Sequence, residues 1–235
     1  MTKSKTSAKR AGSGGPTWST GENRAPERLG EILDRLEGAY PKAHLLLEFE
    51  NAFQLLGATI LAARATDEKV NEVTPELFSR FPDAKSLAAA DFDEVAEIVH
   101  PTGFFRQKAK RLIEASQALV DDFGGEVPET VEELTTLPGV GRKTAILVIN
   151  HAFGKAAGVV VDTHVQRISG RLDWSHEKNA DKMERELREL VPEERWIAFQ
   201  DLVGAHGRAH CTAPKPRCED CPIDELCYFP EKVYR

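Results

Sequence analysis

Only one stretch of this sequence is patterned like a β-strand, the run at residues 158–161, and it is too short and isolated to form a sheet. Elsewhere the apolar residues recur at the three-to-four-residue spacing that gives a helix one buried face. This pattern predicts helices at residues 26–40, 52–63, 68–73, 75–80, 84–89, 106–122, 142–153, 163–170, 180–191 and 194–205. The sequence therefore predicts an all-α fold.

Residues with particular backbone preferences place several of the helix boundaries. Asn51 precedes the continuously apolar segment 52–63 and is expected to cap a buried helix. Asp91 and Glu94 have the spacing of a capping box, which predicts a further helix start. Pro75 predicts the start of a new helix, because proline is favoured in the first helical turn.

Composition and charge limit the classes of protein to which this chain can belong. A length of 235 residues with 41% hydrophobic residues suits one or two modest domains with a real core. The formal net charge of −7 argues against a protein that coats nucleic acid by bulk electrostatics, although basic residues near the motifs below are compatible with one basic face. Residues 1–25, rich in Lys, Arg, Ser, Thr and Gly, are expected to form a flexible basic tail.

The sequence also bears on where the protein works. No apolar run approaches the ~20 residues that a membrane-spanning helix needs, and the N-terminal residues lack the apolar core of a secretory signal. These features predict a cytoplasmic protein with no membrane partner.

The segment LPGVGRKTA at residues 137–145 combines a tight turn with the start of a helix. Gly139 and Gly141 allow the backbone to present consecutive N–H groups outward, and a helix start binds anions. Thr130 is expected to open a short helix before this turn. The two helices and the turn between them predict a helix-hairpin-helix unit.

A lysine and a carboxylate accompany this turn. Lys143 falls in the first turn of the second helix, where the helix macrodipole disfavours a further positive charge, so its amine is a candidate nucleophile. Asp162 follows in the segment VDTHV at residues 161–165. Taken alone, this stretch favours simpler explanations, in which Lys143 is a surface charge or only a phosphate contact and Asp162 is just a helix N-cap.

The four cysteines cluster near the C-terminus as Cys211-x6-Cys218-x2-Cys221-x5-Cys227, which is typical of a metal site. Disulfides are disfavoured, because no export signal is present. Four thiolates satisfy either zinc or an iron–sulfur cluster, and their spacing alone leaves zinc slightly ahead. Bound metal would fold this proline-rich loop, which has few apolar residues to anchor it.

Taken together, these motifs resemble the endonuclease III family of DNA base-excision glycosylases. The resemblance rests on LPGVGRKTA, VDTHV, the four-cysteine tail, ARATD at residues 63–67 and GFFRQKA at residues 103–109. It extends over roughly residues 26 to 228 and implies two all-α domains with a DNA-binding cleft between them. One is a six-helix bundle at residues 45–155, and the other is a cluster domain formed by residues 26–44 and 156–235. The resemblance implies a [4Fe–4S] cluster on the four cysteines, in place of zinc.

The resemblance also implies a reaction. Lys143 matches the family's lysine nucleophile and Asp162 its essential carboxylate, so the chain is expected to be a bifunctional glycosylase and AP lyase. A damaged base would be flipped out of duplex DNA and expelled by attack of the lysine on the sugar. Strand cleavage would follow by β-elimination through a Schiff base. We expect oxidised pyrimidines as substrates, a monomeric enzyme and a location at the nucleoid.

Further residues match positions at which family members contact DNA. The backbone of the glycine turn is expected to bind phosphate, and the aromatic residue of the GFF loop to insert into the duplex, the alternative being an ordinary core aromatic. The basic loop between the cluster ligands would touch the backbone, and the histidine of VDTHV would either hold the lesion strand or be structural. The expected DNA-contact residues are Arg64, Phe104, Gly139, Val140, Gly141, Arg142, Thr144, His164, Lys215 and Arg217.

Arg64 is a departure from the family pattern. Many members have glutamine at this position, which fills the gap opposite the flipped nucleotide. Arginine is longer, permanently charged and a donor only, so it favours guanine-like acceptors and phosphate. The range of substrates is therefore open.

Three other functions use some of the same motifs. A related adenine-removing mismatch glycosylase shares the hairpin and the cluster but generally lacks the lysine. A non-catalytic hairpin module that binds DNA would leave Lys143 and Asp162 incidental. A nucleotide-binding P-loop is excluded, because Arg142 stands where that motif requires glycine.

Overall fold

The structure is a computed structural model that describes residues 26–234, and the predicted basic tail at residues 1–25 lies outside the described residues. Within the described part, the all-α prediction is confirmed: residues 158–161 form no strand, and the regular elements are helices. The helices are α1 (Pro26–Ala39), α2 (Ala52–Leu61), α3 (Asp67–Arg80), α4 (Ala84–Ala88), α5 (Phe92–Ile98), α6 (Phe105–Phe123), α7 (Val131–Leu134), α8 (Arg142–Ala152), α9 (Thr163–Arg171), α10 (Ala180–Leu190) and α11 (Trp196–Ala209). Short 3-10 turns lie at His100–Thr102, Glu193–Arg195 and Asp224–Leu226.

The capping residues predicted from the sequence occupy the helix starts. The Asn51 side chain accepts the Gln54 N–H at 3.0 Å, and the Asp91 carboxylate accepts the Glu94 N–H at 3.1 Å. Thr130 Oγ1 accepts the Glu133 N–H at 3.2 Å, which opens α7 directly before the glycine turn. These N–H groups have no intrahelical acceptor, so each cap satisfies a donor that the helix leaves unpaired.

The prediction of two short helices separated at Pro75 is wrong. A single helix, α3, runs from Asp67 to Arg80 with Pro75 inside it. Proline removes one backbone hydrogen bond, but Val70 and Leu77 on either side of it are fully buried in the same core. Packing of this apolar face keeps the helix continuous across the proline.

Among the residues that the structure describes, the buried side chains form two separate hydrophobic clusters. The first joins α2 to α8 and extends from Leu47 to Val160. The second joins α1 to α9, α10 and α11, with Trp174 and Phe199 at its centre, their ring centroids 5.6 Å apart. The chain therefore passes from α8 back to the cluster that contains α1.

Polar contacts fix the segment that connects the two clusters. Asn150, buried near the end of α8, donates from Nδ2 to the Gly158 carbonyl at 3.0 Å and accepts the Ala157 N–H at 2.9 Å. Arg142 at the start of α8 pairs with the buried Glu184 of α10 at 3.2 Å. These contacts hold the start of α9 beside the start of α8. None of the described helices is long and apolar enough to cross a membrane.

Candidate active site

A cleft of 690 Å³ opens where the two hydrophobic clusters meet. Its walls come from the loop at residues 44–47, the end of α2 with the loop at residues 62–66, and the starts of α3, α8 and α9, together with one face of α11. Of the residues singled out in the sequence, it brings together Arg64, Lys143, Thr144, Asp162 and His164. Phe104, the glycine turn, Lys215 and Arg217 do not line it.

Lys143 reaches the cleft from the first turn of α8. It is the second residue of that helix, and its side chain is exposed. The unpaired N–H groups of a helix start and the positive end of its dipole surround this position. The amine is therefore placed beside a site that favours an anionic group.

Asp162 caps α9. Its Oδ1 accepts the Val165 N–H at 2.7 Å, and its backbone is extended, as an N-cap requires. The helix-cap interpretation of Asp162 is thus correct, but the capped carboxylate also lines the cleft that contains Lys143. The cap fixes the orientation of the carboxylate.

The glycine turn needs its first glycine for two reasons. Gly139 has a φ of 84°, in the left-handed region, and a Cβ there would lie 2.9 Å from the Arg111 Cδ. The sequence predicts that the Val140 N–H binds phosphate, but the structure gives this N–H another acceptor. It is donated to the Leu137 carbonyl at 3.1 Å, and the Val140 side chain is only 6% exposed. The N–H groups at the start of α8, after its N-cap Gly141, have no acceptor within that helix.

Two predicted phosphate contacts have protein partners. Arg142 forms its ion pair with Glu184 across the two clusters, so the structure gives it an anchoring role. Arg217 pairs with Asp220 at 2.8 Å within the cysteine loop, whereas Lys215 is exposed. Thr144, half-buried, faces the cleft.

His164 is connected to the cysteine loop through Arg167. Arg167 Nη2 donates to His164 Nδ1 at 3.0 Å, and Arg167 Nε donates to the Cys211 carbonyl at 3.0 Å. Because a guanidinium only donates, Nδ1 must accept, which leaves the ring hydrogen on Nε2. Burial lowers the pKa of His164, Asp162 opposes this effect, and the Arg167 cation adds to it. The geometry favours a neutral imidazole.

The cleft also contains polar residues that the site prediction omitted: Asp67, Gln200, Asp201 and Arg208. Burial raises the pKa of both Asp67 and Asp201, while the nearby Arg208 opposes the rise at each. The sequence does contain one indication of these residues: the polar pair Gln200 and Asp201 interrupts the otherwise largely apolar helix α11. Polar residues at such a position indicate a face turned toward a cavity.

Phe104 and Arg64 lie together at the surface. Phe104 is 60% exposed with a φ of 49°, and Arg64 has a φ of 57°. The exposure excludes the interpretation of Phe104 as a core aromatic. Its neighbour Phe105 is half-buried and packs on His100, with ring centroids 4.5 Å apart. Lys108, buried on α6, donates to the Thr102 carbonyl at 2.7 Å and so secures the turn that precedes Phe104.

The four cysteines are free thiols that line one common cavity with Arg171, His206 and Phe229. Arg171 Nη1 donates to Cys211 Sγ at 3.2 Å and to the carbonyls of Cys211 and Thr212 at 3.2 and 2.9 Å. Burial raises the pKa of the Cys221 thiol to about 12. In the described residues, no group of three or more His, Cys, Asp or Glu is arranged to hold a single metal ion. Four thiols around one cavity are the donor set that iron–sulfur clusters use.

The chain is similar to known DNA-repair proteins in sequence and in fold. The family model described as "HhH-GPD superfamily base excision DNA repair protein" matches residues 58–193. The chain is 50% identical to endonuclease III of Synechocystis sp. over 201 residues, which cover 86% of this chain and 92% of that protein. It is similar to a solved structure of a non-covalent endonuclease III–DNA complex, with a TM-score of 0.82 and 36% identity over 86% of this chain and 95% of the other. A trapped covalent endonuclease III–DNA intermediate, an estranged-adenine complex, gives the same TM-score, identity and coverage.

Proposed function

This chain belongs to the endonuclease III family within the HhH-GPD superfamily, and from that premise we propose that it is a bifunctional DNA glycosylase and AP lyase. Its proposed substrates are oxidised pyrimidines in damaged double-stranded DNA. The observation that carries the proposal is the convergence of Lys143 and Asp162 on one cleft between the two hydrophobic clusters. An enzyme that repairs chromosomal lesions is expected to act in the cytoplasm at the nucleoid, and we propose that it does so as a monomer.

The cleft receives the damaged nucleotide after it has been flipped out of the duplex. Flipping costs a few kcal/mol and costs least for a lesion that already stacks or pairs poorly. Phe104 is proposed to enter the duplex as an apolar wedge, because it is exposed at the tip of a turn anchored by Lys108. Arg64, beside it, is proposed to occupy the gap opposite the flipped nucleotide.

Lys143 is the proposed nucleophile. Its neutral amine attacks C1′ of the sugar, the bond from C1′ to the base breaks, and the base leaves with the bonding electron pair and takes up a proton. Ring opening gives an iminium, or Schiff base, between Lys143 and C1′. Loss of the C2′ proton then expels the 3′ phosphate by β-elimination, and water hydrolyses the remaining imine to release the lysine.

Asp162 is proposed to stabilise positive charge that develops at the sugar. A carboxylate held by a cap hydrogen bond needs little reorganisation during the reaction. His164, neutral and with its ring hydrogen on Nε2, is proposed to donate to the lesion strand.

The phosphate next to the lesion is proposed to sit on the start of α8. Gly139 and Gly141 allow the close backbone approach, and Thr144 adds a hydroxyl. Val140 and Arg142 support this site through the core and through Glu184. Lys215 is proposed to contact the backbone further along, on a loop that the Arg217–Asp220 pair stiffens.

Endonuclease III proteins generally carry a [4Fe–4S] cluster, and we propose that Cys211, Cys218, Cys221 and Cys227 hold one here. The observations that support this are four free thiols around one cavity and the N–H···S contact from Arg171. The bound cluster would supply covalent cross-links that fold the loop carrying Lys215. We further propose that residues 45–155 form a helix-bundle domain, and that residues 26–44 and 156–235 form the cluster domain.

Borohydride trapping on duplex DNA with one abasic site tests the function. Wild-type protein is expected to give a stable protein–DNA adduct, because borohydride reduces the Schiff base, whereas Lys143→Ala is expected to give none. Lys178→Ala, which removes an exposed lysine remote from the cleft, is the matched control and should trap like the wild type. Absence of a wild-type adduct, or an equal adduct from Lys143→Ala, contradicts the mechanism.

A further inference from the structure

Asp201 is a buried carboxylate that the proposed reaction does not use. It lies on α11 and lines the same cleft as Lys143 and Asp162. Its side chain is 12% exposed, and its Oδ1 is buried without a hydrogen-bond partner in the described part of the chain. Buried polar atoms are rarely left unpaired in folded proteins, so this one needs an explanation.

The nearest candidate partner is engaged elsewhere. His151 Nε2 lies 3.3 Å from Gln200 Oε1, within hydrogen-bond range, but 3.8 Å from Asp201 Oδ1. The N–H of the His151 imidazole is thus donated to Gln200, and the Asp201 carboxylate receives no hydrogen bond from it. Other titratable groups also act on Asp201: His44 and Arg208 lower its pKa, and Asp162 raises it.

The energetic consequence is a cost to the free protein. Removing a carboxylate from water without supplying donors is unfavourable, and burial accordingly raises the pKa of Asp201. A ligand that brings an N–H donor into the cleft would recover this energy on binding. Selectivity built in this way is strong, because a ligand without the donor leaves the carboxylate unpaired.

We propose that Asp201 is a specificity-determining residue that accepts a hydrogen bond from a ring N–H of the flipped base. The proposal rests on the proposed glycosylase function, since it requires a base in the cleft. An ionised carboxylate offers acceptors only, so it selects a base edge that presents a donor. Uracil-type and thymine-type lesions present such a donor at N3, between two carbonyl oxygens. Gln200, which also lines the cleft, can donate from its amide to one of those carbonyls.

The test measures single-turnover base excision from duplexes that contain 5,6-dihydrouracil or its N3-methyl derivative, and strand cleavage at an abasic site. Wild-type protein is expected to excise the N–H base at least about tenfold faster than the N-methyl base. Asp201→Ala is expected to slow excision of the N–H base by roughly 10- to 100-fold and to remove the preference. Cleavage at the abasic site, where no base is present, should fall much less than excision does.

Two further variants keep the test decisive. Asp201→Leu has a similar branched shape but no hydrogen-bond acceptor, so it replaces Asp201→Ala, with the same expected and overturning results, if the alanine variant fails to fold. Asp122→Asn removes one exposed carboxylate from the end of α6 and should retain the wild-type preference.

Either of two results overturns the proposal: Asp201→Ala retains the preference for the N–H base, or excision and abasic-site cleavage fall by the same factor. The second result would indicate a purely structural carboxylate. A failure of the proposed function is distinguishable from both, because the wild-type protein would then cleave neither substrate and form no borohydride adduct.

Discussion

The guanidinium of Arg64 stacks over the ring of Phe104, with Cζ 5.4 Å from the ring centroid. The two residues belong to different loops, one after α2 and one before α6, and both have left-handed backbones. Such a cation–π contact contributes roughly 0.5–1 kcal/mol at an exposed site. This contact holds Phe104, the proposed wedge, and Arg64, the proposed gap-filling residue, together in the protein without DNA.

Replacement of Phe104 should affect DNA binding far more than folding. Phe104→Ala removes only an exposed ring and its contact with Arg64, so the free energy of unfolding should change by no more than about 1 kcal/mol. Affinity for a lesion duplex should fall by roughly tenfold or more, because the apolar wedge is lost. Phe104→Leu keeps an apolar wedge and should retain most of the affinity in a fluorescence-anisotropy titration. Equal losses for Ala and Leu would argue against insertion.

Arg64→Gln should change which base is preferred opposite the lesion. Arginine donates to guanine acceptors, whereas glutamine can both donate and accept, so the variant should lose a preference for guanine opposite the lesion. Excision rates from four duplexes that differ only in the opposite base measure this effect. An unchanged order of the four rates would exclude Arg64 from that position.

The two roles of Asp162 can be separated by two substitutions. Asparagine caps helices as well as aspartate does, so Asp162→Asn should keep the stability while removing the charge, and excision should fall by at least about 100-fold. Asp162→Ala should lose the same activity and in addition about 1 kcal/mol of stability, because the Val165 N–H loses its acceptor. Urea unfolding and single-turnover kinetics on both variants check this. Full activity in Asp162→Asn would show that Asp162 acts only as the N-cap of α9.

Gly139→Ala should destabilise the hairpin. The alanine would have to adopt a φ of 84°, and its methyl group would lie 2.9 Å from the Arg111 Cδ, so a loss of roughly 1–3 kcal/mol is expected. The same substitution should weaken the proposed binding of phosphate at the start of α8. Gly30→Ala is the matched control: nothing lies within 4 Å of the added methyl group in helix α1, and the substitution should stabilise the protein by about 0.5–1 kcal/mol. Thermal unfolding compares the two directly.

The sequence predicts those features that depend on short stretches of chain. The cap at Asn51 and the turn glycine at Gly139 follow from local backbone preferences, and both are present. The prediction of a helix start at Pro75 is wrong, because burial of Val70 and Leu77 outweighs the local preference of proline for a helix start. Local pattern fails where tertiary packing supplies the larger energy.

The cleft could not be assembled from pattern alone. Lys143 and Asp162 come together through the buried Asn150 contacts to the connecting segment, which no helical periodicity encodes. The resemblance to a known family supplied that pair, but it did not supply Asp201, whose significance depends on an unpaired buried oxygen. Such an atom is visible only in three dimensions.

The unpaired carboxylate of Asp201 also predicts a pH-dependent cost in stability. Its folded-state pKa is raised by burial above the ordinary value of about 3.9, so between the two values the folded protein binds more protons than the unfolded chain. Stability due to this group therefore falls as pH rises through that window, and the full cost is present above it. Asp201→Asn should accordingly stabilise the protein at neutral pH by about 1–3 kcal/mol, or roughly 2–4 °C in Tm per kcal/mol for a chain of this length.

The gain in Tm from Asp201→Asn should shrink as the pH is lowered toward the ordinary carboxylate pKa of about 4, because the wild-type carboxyl then becomes neutral as well. Differential scanning fluorimetry from pH 8 down to the lowest pH at which the protein stays folded follows this trend. Asp122→Asn, at an exposed site, should show no such trend. A loss of stability in Asp201→Asn at neutral pH would mean that attraction to His151 and Arg208 outweighs desolvation, so that the carboxylate is paired in the free protein rather than held ready for a base.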